Sequence, residues 1–146
     1  MATIHSLRGG EPPQPTRRVL VVEDNLDSVH SMAVLLRMMG HEVQFAINGF
    51  AALDIARKFK PDVVLLDLSL PDFNGCEIAQ QLKWEPGMEK ARLIAISALP
   101  IAQARQRALE AGCEAFYAKP IEPGLLERLL AEPLPATAPR HGETSS

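Results

Sequence analysis

Apolar and polar positions alternate along this chain in two rhythms. Short, mainly apolar runs fall at residues 19–22 (VLVV), 43–46 (VQFA), 63–66 (VVLL), 93–96 (LIAI) and 115–117 (AFY). Consecutive apolar residues predict strands covered on both faces, as in a parallel sheet. Between the runs lie stripes at helical spacing: Val29, Met32, Ala33 and Leu36; Ala52, Ile55, Ala56 and Phe59; Gly75, Ile78, Ala79 and Leu82. Each stripe gives its helix one face to lay on the sheet. An alanine-rich segment at 101–111 and a leucine-rich one at about 123–131 complete the set. Gly40 and Gly112 stand where a helix needs a left-handed C-terminal cap, and Asp24 or Asn25 can cap the first helix. The expected fold class is α/β: five βα units, (βα)5, forming a doubly wound parallel five-stranded sheet. No repeat at a fixed period suggests a solenoid.

The two ends break this rhythm. Residues 1–16 include RGGEPPQPT, and residues 133–146 read PLPATAPRHGETSS. Such segments cannot bury enough apolar area to offset chain entropy, so flexible tails are expected around a domain at 17–132. A chain of 146 residues suits one domain. Its hydrophobic share of 47% and charged share of 23% are those of a globular protein. The net charge of -3 disfavours nucleic acid and anionic lipid as direct partners. No apolar run approaches the roughly 18 residues of a membrane span. Cys76 and Cys113 lack CxxC spacing and are expected as small buried hydrophobes in a reduced, cytoplasmic setting.

In an open parallel sheet, ligands bind beyond the carboxyl ends of the strands, where strand order reverses. The polar residues of interest are strand-terminal. Glu23 and Asp24 follow the first strand, Asp67 ends the third, Ser97 ends the fourth and Lys119 follows the fifth. Three carboxylates against one ammonium leave about two negative charges, which a divalent cation would neutralise. Oxygen ligands without His or Cys favour Mg²⁺. An aspartate so placed can act as a nucleophile toward phosphoryl groups. Lys119 can then pair with a phosphoryl oxygen, and Ser97 can donate a hydrogen bond to another.

The Glu23–Asp24 pair, the DLSLPDFNG stretch beginning at Asp67, the strand-end Ser97 and the Lys119–Pro120 dipeptide together resemble the receiver domains of two-component response regulators, the CheY-like superfamily. The resemblance covers residues 17–132 and implies the flavodoxin-like strand order 2-1-3-4-5. It casts Asp67 as phosphoacceptor and Glu23, Asp24, Asp67 and the Ser69 carbonyl as holders of Mg²⁺. Ser97 becomes the switch hydroxyl, Lys119 the site lysine, and Phe116, with Tyr117 beside it, the switch aromatic. A cis bond is expected between Lys119 and Pro120. The implied partners are a histidine kinase or histidine phosphotransfer protein and a downstream protein target. The state expected is a monomer, or a weak dimer through the face of the fourth helix, fifth strand and fifth helix. Such a protein is not an enzyme on other molecules; it catalyses its own phosphorylation and dephosphorylation.

Plainer roles exist for each residue. Acids after the first strand can cap a helix, which is compatible with binding metal. A hydroxyl at a strand end is common, and Lys119 alone would be a surface lysine; Asp67, ending a wholly apolar strand, is costly without a purpose. His5, His30, His41 and His141 have no metal spacing and are expected at the surface. Trp84 is expected in a loop, covering the core. Competing functions are a phosphorelay intermediate, a scaffold that kept the fold without switching, a flavin binder and an aspartyl-phosphate phosphatase. The last wants an acid two residues after the nucleophile, where this chain has Ser69. Two acids after the first strand would repel a flavin phosphate.

Overall fold

The computed structural model describes residues 15–68 and 75–132. Strands β1 (Arg18–Val22), β2 (Glu42–Ala46), β3 (Val63–Asp67), β4 (Arg92–Ser97) and β5 (Ala115–Ala118) alternate with helices α1 (Leu26–Met38), α2 (Gly49–Phe59), α3 (Gly75–Trp84), α4 (Ile101–Ala111) and α5 (Pro123–Ala131). All strand pairs are parallel and the order is β2-β1-β3-β4-β5, as the resemblance implies. The expected tails fall largely on residues 1–14 and 133–146, outside the described residues.

Alternate residues of each strand point to opposite faces, which splits the core in two. Val19, Val21, Val63, Leu65, Ile94 and Ile96 meet α1 and α5 on one face. Leu20, Val22, Val64, Leu66, Leu93 and Ala95 meet α2, α3 and α4 on the other. β3 and β4 are buried along their whole length, which is why residues 63–66 and 93–96 are apolar without a break, with the buried polar residues Asp67, Arg92 and Ser97 at the strand ends.

Local signals set the helix ends. Asn25, not Asp24, caps α1: its side chain accepts from the Ser28 N–H at 2.8 Å. Asn48 caps α2 in the same way through Ala51 N–H. Gly112 closes α4 at φ +80°, a left-handed conformation that costs glycine little. α2 ends on Lys60 at φ +51°, a left-handed residue that no glycine announced.

Three expectations are corrected. Trp84 does not cover the core; it ends α3 and is 85% exposed, while Leu82 and Met88 fill the interior beside it. His41 is not a surface residue; it is buried, and its Nδ1 accepts from the backbone N–H of Arg17 at 3.0 Å. Cys113 is half-buried rather than buried, and the Cys76 side chain lies outside the described residues.

The amino edge of the sheet carries two buried arginines. Arg17 Nε donates to the Leu130 carbonyl at 2.9 Å, and Arg92 donates to the Leu129 carbonyl at 2.6 Å and to Glu114 at 2.9 Å. These guanidiniums satisfy the terminal carbonyls of α5 and oppose the negative end of its dipole.

Candidate functional site

The order β2-β1-β3 reverses direction at β1, and the polar residues gather there at the carboxyl edge. β1 runs as four buried apolar residues and releases the chain into Glu23 and Asp24. The Glu23 N–H donates to the Ala46 carbonyl, which continues the β1–β2 ladder one residue past the strand and fixes the turn into α1. β3 ends on Asp67, only 4% exposed. β5 leads into Lys119, whose backbone N–H donates to the Ser97 carbonyl at 3.0 Å, and a cis Lys119–Pro120 bond follows as expected.

Carboxylate oxygens of Glu23, Asp24 and Asp67 lie within 4.8 Å of one another. Glu23 and Asp67 are buried and Asp24 is exposed. Lys119 Nζ reaches two of the three: it donates to Asp67 Oδ2 at 3.0 Å and forms a short ion pair with Glu23 Oε1. Glu23 Oε2 accepts from the Asn25 N–H at 3.1 Å. Both oxygens of Glu23 are thus engaged, one by a cation and one by the capping turn of α1. Burial raises the Glu23 carboxyl above its ordinary value, against the lowering effect of Lys119 and Asn25, and the charge of Asp67 adds to the rise. Burial alone would lower the Lys119 ammonium, but its bonds to Glu23 and Asp67 outweigh that and raise it.

The donor set suits Mg²⁺. Ligands at about 2.0–2.1 Å around an octahedral ion stand about 3–4 Å apart, so oxygens already within 4.8 Å need to close little. All are hard oxygens, and the charge left after Lys119 is negative. The Ser69 carbonyl, expected as a further ligand, lies outside the described residues.

Ser97 is 1% exposed, and its Oγ accepts from the Leu99 N–H at 2.9 Å, tying the hydroxyl to the loop that opens α4. Register pairs Ala95 with Phe116 and Ser97 with Ala118. Side chains of Ser97 and Phe116 therefore leave the sheet on the same face, two residues apart on neighbouring strands. Phe116 is half-buried against the core of that face, and Tyr117 points to the other. A groove of about 560 Å³ opens beside the acids, floored by Val21, Leu65 and Ile96 and walled by Met32 and Leu35 of α1 and by Ile121.

The structure thus brings Glu23, Asp24, Asp67 and Lys119 together and sets Ser97 and Phe116 on one sheet face. Sequence reasoning missed the Asn25 N–H on Glu23, although the capping asparagine was legible. It also missed the Arg105 guanidinium, which lies 5.4 Å from the centroid of the Phe116 ring and which no local pattern announces.

Fold and site define a class: a doubly wound α/β domain with a lysine-paired acidic centre at its topological switch point. Comparison with known proteins narrows this. The family model described as "Response regulator receiver domain" matches residues 19–131, and the chain belongs to that family. It is 34% identical to the "Polar-differentiation response regulator DivK" of Brucella anthropi over 105 residues, 72% of this chain and 85% of that protein. The DivK of Brucella ovis is also 34% identical, over 106 residues, 73% of this chain and 86% of that one. Among solved structures, a CheY-like receiver domain protein from Methanospirillum hungatei superposes with a TM-score of 0.70 at 25% identity, covering 79% of this chain and 91% of that one. The receiver domain of the sensor histidine kinase PA1611 from Pseudomonas aeruginosa gives 0.72 at 27% identity, covering 80% and 95%. That structure holds a magnesium ion coordinated in its active site cleft.

Proposed function

We propose that this receiver domain is a phosphorylation-operated switch whose acceptor is Asp67. The observation that carries the reading is the buried Asp67 carboxylate, paired with Lys119 at 3.0 Å and within 4.8 Å of the acids of Glu23 and Asp24. An oxygen of Asp67 attacks the phosphorus of a phosphohistidine on a histidine kinase or histidine phosphotransfer protein. The new O–P bond forms as the donor P–N bond breaks, and the imidazole leaves with the electron pair. Lys119, already beside the acceptor oxygen, compensates charge on the arriving phosphoryl group. The adjoining apolar groove offers a donor protein a surface to dock beside the acceptor.

Asp24, Asp67 and Glu23 would hold Mg²⁺, in keeping with the magnesium in the PA1611 receiver, and the ion would offset negative charge between acceptor and phosphoryl oxygens. Ser97 would donate its hydroxyl to a phosphoryl oxygen, giving up the Leu99 N–H, and Phe116 would shift toward the space released. Such a change alters the α4–β5–α5 face, where a downstream protein or a second copy would bind in the cytoplasm. The phosphoryl group moves that equilibrium only by its unequal stabilisation of the two states. The domain acts on itself and so is not an enzyme for other substrates.

The test is incubation with phosphoramidate and Mg²⁺ followed by intact-mass measurement. One phosphoryl adduct is expected on the wild type and none on Asp67→Asn. An unmodified wild type, or an adduct that survives the substitution, overturns the assignment.

A further inference from the structure

We propose that Arg105 is a latch on Phe116 that favours the unphosphorylated conformation, so that a cation–π contact from α4 sets how readily this receiver switches. The inference rests on the switching role given above to Ser97 and Phe116. It concerns a residue that lies outside the acidic centre and acts through the aromatic ring.

The ring of Phe116 belongs to β5, the edge strand, and is half-buried against the core beneath α2, α3 and α4. Arg105 is exposed, in the second turn of α4, and its guanidinium lies 5.4 Å from the ring centroid. That is inside the roughly 6 Å over which a cation is drawn to an aromatic face. The α4 residues turned to the core are Ala104, Ala108 and Ala111, whose side chains are small, and Arg105 is the long α4 side chain that reaches the Phe116 ring.

The other end of the same helix is tied to the switch hydroxyl. Ser97 Oγ accepts from the Leu99 N–H, and α4 starts two residues later at Ile101. Its N-cap, Pro100, makes no side-chain capping hydrogen bond, so the first turn is held less firmly than that of α1 or α2. A hydroxyl that turns from Leu99 toward a phosphoryl oxygen frees the start of α4, and a ring that moves along the sheet toward Ser97 leaves the guanidinium. Arg105 touches the ring in the resting arrangement and loses it in the switched one. A contact present in only one of two states shifts the balance toward that state by its full worth.

Arg105→Ala should therefore raise the affinity for beryllofluoride with Mg²⁺, and the rate of labelling by phosphoramidate, by about two- to fivefold. At 1.4 kcal/mol per tenfold this is about 0.4–1 kcal/mol. Titration calorimetry on the full chain reads the affinity. Arg105→Lys, which keeps the cation but not its planar face, should fall between. In a Phe116→Ala background, Arg105→Ala should change nothing. Unchanged or weaker beryllofluoride binding by Arg105→Ala overturns the latch, and so does an equal gain in the Phe116→Ala background, which would mean that Arg105 acts on α4 alone. A wild type that binds no beryllofluoride overturns the phosphoacceptor reading and the latch with it, so the two failures are distinguishable.

Discussion

Lys119 donates through Nζ to Oδ2 of Asp67 at 3.0 Å, joining residues 52 apart in sequence across the carboxyl edge of the sheet. The same ammonium holds Glu23, so one cation serves two buried carboxylates. Glu23 and Asp67 can share that edge because the lysine stands between them.

Replacing this cation should separate its two duties. Lys119→Met is expected to slow labelling of Asp67 by small phosphodonors by about 10²-fold, the usual cost of losing one group aimed at developing charge. It should tighten Mg²⁺ binding, since three acidic side chains then face the ion without a competing ammonium. Calorimetric titration with Mg²⁺ and a labelling time course check the two effects. Weaker metal binding would contradict the charge argument.

Asp24 is the exposed acid of the set, and its contribution should depend on the ion. Without metal, Asp24→Asn relieves repulsion from Glu23 and Asp67 and should leave thermal stability unchanged or slightly higher. With millimolar Mg²⁺ the order should reverse, because a ligand that binds only the folded form stabilises it in proportion to its affinity. Melting curves of both proteins with and without the ion test this; an equal Mg²⁺-induced shift would remove Asp24 from the metal site.

Arg92 supports the far edge of the molecule. Arg92→Met strips the Leu129 carbonyl of its donor and leaves Glu114 and Glu132 without their shared partner. Both glutamates reach solvent, so their loss is discounted, and about 2–3 kcal/mol of destabilisation is expected, chiefly from the unsatisfied carbonyl and lost packing. Urea unfolding should show a lower midpoint at an unchanged slope.

His41 should make stability fall in mild acid. Burial, and then the charge of Arg17, lower its pKa from the ordinary 6.5, and its Nδ1 must be unprotonated to accept from the Arg17 N–H. Below about pH 6.5 the unfolded chain takes up a proton that the native imidazole resists. Unfolding therefore becomes easier as pH drops, until His41 itself is protonated. His41→Asn keeps an acceptor near Nδ1 and removes the titration. Its stability should vary less between pH 7 and 5.5 than that of the wild type, as read from urea midpoints; parallel curves would exclude His41 as the source.

Much of the fold was legible because the chain meets each local requirement where it arises. The five apolar runs became the five strands within one residue at either end; burial on both faces keeps the middles of β3 and β4 apolar, while the edge strands β2 and β5 stay partly exposed and β2 carries the exposed Gln44. Gly40 and Gly112 have positive φ as their placement implied. The same logic failed at Trp84 and His41. Residue type suggests burial for a tryptophan and exposure for a histidine, but neither shows whether a partner waits inside. The Arg17 N–H supplies one for His41, and the interior beside α3 is already filled by Leu82 and Met88.

The sequence by itself determined that the strands are parallel, with the central ones covered on both faces, and that acids, a hydroxyl and a lysine stand at their carboxyl ends. Periodicity and strand-end position are local properties that a linear chain displays. Only the tertiary structure decided that Lys119 bridges Glu23 and Asp67, that Ser97 and Phe116 share a sheet face, and that Arg105 lies over the ring. Those relations join residues on different elements, and their geometry exists only once strand order and register bring the elements together.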